Sequence, residues 1–152
     1  LIAYKSDRDD ELLEVYEKGL HEHECYFPNP TVFEEGRRYL LFLRRDPDDP
    51  ERYRGLPQGC ALEVLVTRDN RYAVRYPASG FELNDALVDL AEPMAYADRY
   101  ALVADEDLAP AERNALRAAG HLEPAGDERW RYTHGVDLTA VRGLIDPGAL
   151  AH

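Results

Sequence analysis

The chain has 152 residues, 45% of them hydrophobic, which suits one domain with a real core and is too apolar for a disordered segment. Thirty acidic residues against 18 basic ones give a formal charge of −12, which argues against unaided nucleic-acid binding and disfavours an anionic membrane surface. No apolar run approaches the roughly 20 residues of a membrane span.

Leu1–Tyr4 reads as the end of a strand and Ser6–Glu11 as a polar turn. The chain starts at Leu1 and shows no signal peptide, as expected of a processed or shortened polypeptide, and this does not speak against secretion. Leu12–Glu17 reads as a strand with Leu13 and Val15 inward, ended by Lys18-Gly19. Pro28 and Pro30 force extended or turn backbone around Asn29. Tyr39–Leu43 is an unbroken apolar and aromatic run closed by arginine pairs at both ends. It is too short for a typical helix and suits a strand buried on both faces, fed by a turn at Gly36 and central to a small sheet or barrel.

Asp46–Gly59 holds three prolines, two glycines and an acidic cluster, a composition that predicts a long loop with no regular element. Cys60–Thr67 alternates with Leu62, Val64 and Val66 on one face, Asp69-Asn70 supplies turn chemistry, and Arg71–Tyr76 returns; residues 60–77 predict a β-hairpin. Asn84 caps a short helix through Ala91, and Tyr96–Ala104 fits either helix or strand. Pro110–Ala119 is the strongest helix, with Pro in its first turn and Gly120 as its stop. Glu128–Thr133 predicts a short strand carrying Trp130. Asp137 caps a last helix whose Leu138, Val141, Leu144 and Ile145 recur at helical spacing. The order is α+β in one domain, 1–152, with a strand-rich core over 1–81 and a mixed helical elaboration over 82–152.

Leu13–Leu20, Phe33–Leu43 and Gly59-Cys60 together resemble the netrin-like, or TIMP-like, family: a strand ending in Lys-Gly, a Gly-x-x-Tyr-Leu-Leu-Phe-Leu strand, and a cysteine after the next loop. The resemblance covers residues 12–77. It implies a small OB-like antiparallel β-barrel followed by a mostly helical C-terminal part, a periplasmic or secreted location, and binding to other proteins. The best-known members inhibit metalloproteases through an amino-terminal cysteine on the protease's zinc. This chain begins with Leu1 and has no cysteine before Cys25, so that mechanism is not carried over.

One constellation carries chemistry. If His21-Glu22-His23-Glu24-Cys25 is extended, His21, His23 and Cys25 share a face, and with Cys60 they make reasonable zinc or copper ligands. The other reading is a disulfide between the two cysteines, Cys25 and Cys60, which the extracytoplasmic location implied by the resemblance favours. It would close 34 intervening residues and stabilise by roughly 3–4 kcal/mol on the chain-entropy model. Two unconnected thiols are the third reading.

Asp46, Asp48, Asp49 and Glu51 lack the ordered spacing of a calcium loop and read as a solvated segment. His121, His134 and His152 show no supporting spacing. Ser6 and Ser79 are the only serines, and there is no G-x-S-x-G, phosphate-binding or dinucleotide-binding motif. Tyr72 and Tyr76 share a hairpin face and form either barrel wall or an exposed binding surface. The expectation is a non-enzymatic extracytoplasmic protein-binding or accessory module without a cofactor. The alternatives are a zinc- or copper-binding protein using His21, His23 and Cys25, and a hydrolase with an unnamed carboxylate pair.

Overall fold

A computed structural model describes residues 14–16, 34–55, 61–78 and 84–145 of the chain. The strands are β1 (Glu14–Tyr16), β2 (Arg38–Leu41), β3 (Leu43–Arg45), β4 (Arg52–Gly55), β5 (Ala61–Val66) and β6 (Tyr72–Tyr76). Then follow α1 (Asn84–Val88), β7 (Glu92–Pro93), β8 (Leu102–Ala104), α2 (Pro110–Ala118), β9 (Leu122–Pro124), β10 (Arg129–Tyr132), β11 (His134–Asp137) and α3 (Leu138–Ile145). Helices and antiparallel strands mix as the α+β class requires. Among the described residues the strands make three sheets, ordered β1-β4-β3, β8-β10-β9 and β2-β5-β6-β11-β7, and none of them closes on itself. Among the described residues the region after residue 82 is mixed rather than mostly helical, because β7 to β11 lie in it beside three helices. These strands are two to four residues long, too short for a period-2 pattern to declare them.

The chain divides into two units, Leu1–Glu34 with Leu41–Ala61, and Glu35–Leu40 with Leu62–His152. In the first, β4 pairs parallel to β1 and antiparallel to β3. The expected long loop after Asp46 therefore contains a strand, β4. Two of the three prolines that argue against it, Pro47 and Pro50, sit in the turn itself, and Pro57 lies outside the described residues. Asp46 Oδ1 accepts from the Asp48 N–H at 2.8 Å and Asp49 Oδ1 from the Glu51 N–H at 3.1 Å, two side-chain turns that carry the chain over Pro47 and Pro50. Arg54 then donates to Asp46 Oδ2 at 2.6 Å, with both side chains buried. The acidic run is thus engaged by the arginines of its own hairpin: Arg52 meets Asp49 at 3.2 Å and Arg54 approaches Asp48 at 3.7 Å.

In the second unit, β5 and β6 form the expected hairpin, in register Val64↔Val74 and Leu65↔Ala73. Its turn is closed by the Thr67 N–H on the Arg71 carbonyl at 2.9 Å, and Asn70 takes the left-handed conformation at φ 65°. Val64, Val74 and Val136 stand opposite one another across three strands, all buried, and α3 packs beside two of those strands, β6 and β11. The opposite face, with Leu65 and Ala73, packs with Met94, Tyr96, Leu108, Leu116 and Tyr132.

This hairpin, not Tyr39–Leu43, is the doubly covered centre. The apolar run is two strands that break at Phe42, each at the edge of its own sheet among the described residues and only half-buried. Five apolar residues in a row give no signal of which sheet each belongs to.

Packing leaves no room for a side chain at Gly135. A Cβ there would lie 2.1 Å from the Tyr96 hydroxyl oxygen and 2.8 Å from the Val74 carbonyl oxygen. Tyr96 fills that space, buried, and donates its hydroxyl to the His134 carbonyl at 2.8 Å. Burial pushes the Tyr96 phenol well above its ordinary value.

Candidate functional site

The register that pairs Val64 with Val74 also places Glu63 across from Arg75, on the same face as Leu65 and Ala73. The apolar cover of that face thins here, and a charged pair takes its place. Arg75 Nε donates to Glu63 Oε2 at 2.9 Å, and Arg37, just before β2, donates to Glu63 Oε1. Glu63 and Arg75 are only 13% and 12% exposed, so the pair is largely withdrawn from water.

Tyrosine rings cover the guanidinium faces. Arg75 lies 4.2 Å from the Tyr132 ring centroid, and Arg37 lies 4.7 Å from that of Tyr100. Arg99 is also 4.7 Å from the Tyr100 centroid and donates to the Tyr100 hydroxyl at 2.7 Å. Gly36, at φ +84°, brings Arg37 close, since a Cβ there would meet the Tyr100 hydroxyl oxygen at 2.9 Å. Burial raises the Tyr132 phenol, with the Arg75 charge opposing.

Arg37, Glu63, Arg75, Tyr100 and Tyr132 line one side of a cavity of about 300 Å³. Leu102, Val103 and Leu108 add an apolar wall, and the exposed Asp107 and Glu112 stand at its rim. The β8 strand and the N-terminus of α2 hold this second side. Behind it, the Asp105 carboxylate accepts from the Trp130 indole N–H at 2.7 Å and from Arg113, which ties α2 to β10.

His21, His23, Cys25 and Cys60, the candidates for metal binding and for the disulfide, lie outside the described residues. Among the described residues no group of three or more His, Cys, Asp or Glu is placed to hold a metal ion, and no helix is long and apolar enough to cross a membrane. Tyr72 and Tyr76 do not form a common exposed surface. Tyr72 is 47% exposed beside Arg38, whereas Tyr76 is buried and meets His121 edge-on at 5.2 Å. The next strand, β11, covers Tyr76 through its partner His134.

The structure also brings together two histidines that showed no common spacing: the His121 and His134 rings are 4.7 Å apart. His134 Nδ1 meets the Thr133 hydroxyl at 2.9 Å, while His121 Nδ1 is buried without a hydrogen-bond partner. Burial, and then the neighbouring His134, lower the His121 pKa.

The sequence pattern did not point to the cavity. One signal was present: folding the hairpin about its Asp69-Asn70 turn sets Glu63 opposite Arg75, opposite charges on a face otherwise apolar. Comparison with protein-family models, with curated proteins and with solved structures returns no match.

Proposed function

We propose that the chain is a non-enzymatic protein-binding or accessory module of an extracytoplasmic compartment, and that the cavity beside Glu63 is its recognition site. The carrying observation is the state of the cavity's charges. Both carboxylate oxygens of Glu63 are engaged by guanidiniums, and tyrosine rings back Arg37 and Arg75. Groups held this way present a fixed shape and a fixed field, which serves recognition. The netrin-like resemblance supports the compartment and the OB-like barrel, and the antiparallel β5–β6 hairpin fits such a barrel.

Capture from a native extracytoplasmic extract tests the reading, with wild type and Glu112→Trp as baits. Position 112 is exposed, so the indole obstructs the cavity without disturbing the core. A partner retained by wild type and lost by the variant is expected. A partner held equally by both would remove the cavity from the reading, and no partner at all would end the module reading. The compartment is tested separately by intact mass before and after reduction. A gain of two hydrogens is expected from a Cys25–Cys60 disulfide, whereas two free thiols with bound zinc or copper would favour His21, His23 and Cys25 as a metal site.

A further inference from the structure

The cavity's charges are unevenly committed. On the sheet side, Arg37 and Arg75 share Glu63 and lie over tyrosine rings. On the opposite side, Asp107 and Glu112 are exposed, and neither is engaged by a guanidinium among the described residues. Glu112 stands in the first turn of α2, where the helix dipole favours an acid; Asp107, in the Asp105–Asp107 turn, has no such role. Among the described residues the lining thus carries three carboxylates against two guanidiniums, and the two carboxylates that no guanidinium engages are Asp107 and Glu112.

We propose that the cavity is a socket for an arginine or lysine side chain from a basic segment of a partner protein; this rests on reading the cavity as the recognition site. The apolar wall accepts the aliphatic stem, and Asp107 and Glu112 receive the cationic head. A volume of about 300 Å³ is at the small end of ligand pockets, suited to one long side chain. The formal charge of −12 draws a basic segment in and repels an acidic one.

The test is calorimetric titration of the full chain at low salt with a blocked Gly-Arg-Gly peptide. The same peptide with citrulline or glutamate in place of arginine, and the Asp107→Asn/Glu112→Gln double variant, complete the set. Both substituted positions are exposed and the replacements nearly isosteric, so the fold is kept. Saturable one-to-one binding of the arginine peptide is expected, weakened about tenfold by the double variant, the upper range that two exposed ion pairs allow. The citrulline peptide should bind at least as weakly. Equal binding by wild type and double variant would show only general attraction to an acidic surface and overturn the proposal. Equal binding of the citrulline peptide, or preference for the glutamate peptide, would overturn it too. If no peptide binds at millimolar concentration while Glu112→Trp still loses a captured partner, the socket is refuted and the recognition reading stands.

Discussion

Gly135→Ala is the sharpest perturbation the fold offers. The added methyl would sit 2.1 Å from the Tyr96 hydroxyl oxygen, with the Val74 carbonyl at 2.8 Å and Met94 Cγ at 3.3 Å. Both oxygen contacts are too short for a real Cβ, so the strand backbone must shift as well as the tyrosine. Its hydroxyl then leaves the His134 carbonyl, a bond worth about 1 kcal/mol. Forcing a buried ring out of a close-packed position costs about 1–3 kcal/mol more. The sum, about 2–4 kcal/mol, is a large part of a typical folding free energy. Urea unfolding followed by circular dichroism measures it. Tyr96→Phe supplies the control: alone it should cost about 1 kcal/mol. In the Gly135→Ala background it removes the atom nearest the methyl, so the double variant should be at least about 1 kcal/mol more stable than the two single losses added together. Strict additivity, or a Gly135→Ala protein within about 0.5 kcal/mol of wild type, would refute the packing argument.

Glu63→Gln leaves Arg37 and Arg75 without their shared anion and should destabilise by about 1–2 kcal/mol in the same urea assay, the discount from a fully buried pair reflecting partial exposure. In the first unit, Arg54 holds the Asp46 carboxyl below its ordinary range, so the stabilisation from Asp46 is complete above the unfolded value of about 4 and drains as pH falls through the folded one. Amide protection in β3 and β4, taken relative to the intrinsic exchange rate at each pH, should therefore fall in acid, and Asp46→Asn should show low protection throughout without the acid dependence. For Tyr96 the sign reverses: a phenol raised by burial keeps its stabilisation below the unfolded value of about 10 and loses it as pH rises toward the folded one. The urea midpoint should fall through that range, and less steeply in Tyr96→Phe.

Much of the second unit was legible because independent local signals agreed. The 60–77 hairpin had alternation on both arms and a turn whose Asn70 adopts the conformation such turns need. α2 had Pro110 at its start, and α3 had Asp137, which caps it by accepting the Thr139 N–H at 2.8 Å. The strand around Trp130 emerged as expected. β4 is not legible because the three prolines, two glycines and acidic cluster of 46–59 together predict a loop, whereas Asp46 and Asp49 confine the effect of Pro47 and Pro50 to the turn. The Tyr39–Leu43 run misled because composition shows that a segment is apolar, not that two sheets divide it. The cavity was beyond reach for a different reason. Its residues come from separate stretches, at 37, 63, 75, 100–112 and 132, and only tertiary packing brings them together.

Trp130 is the one tryptophan in the chain, and it lies in the second unit with its indole N–H held by Asp105 and the Arg117 guanidinium 4.7 Å from its ring centroid. Indole emission is therefore an optical reporter for that unit alone. Far-ultraviolet dichroism, by contrast, sums the backbone of both. Followed together during heating, the two signals will either coincide, which marks a single cooperative transition, or separate, which marks two units that melt independently.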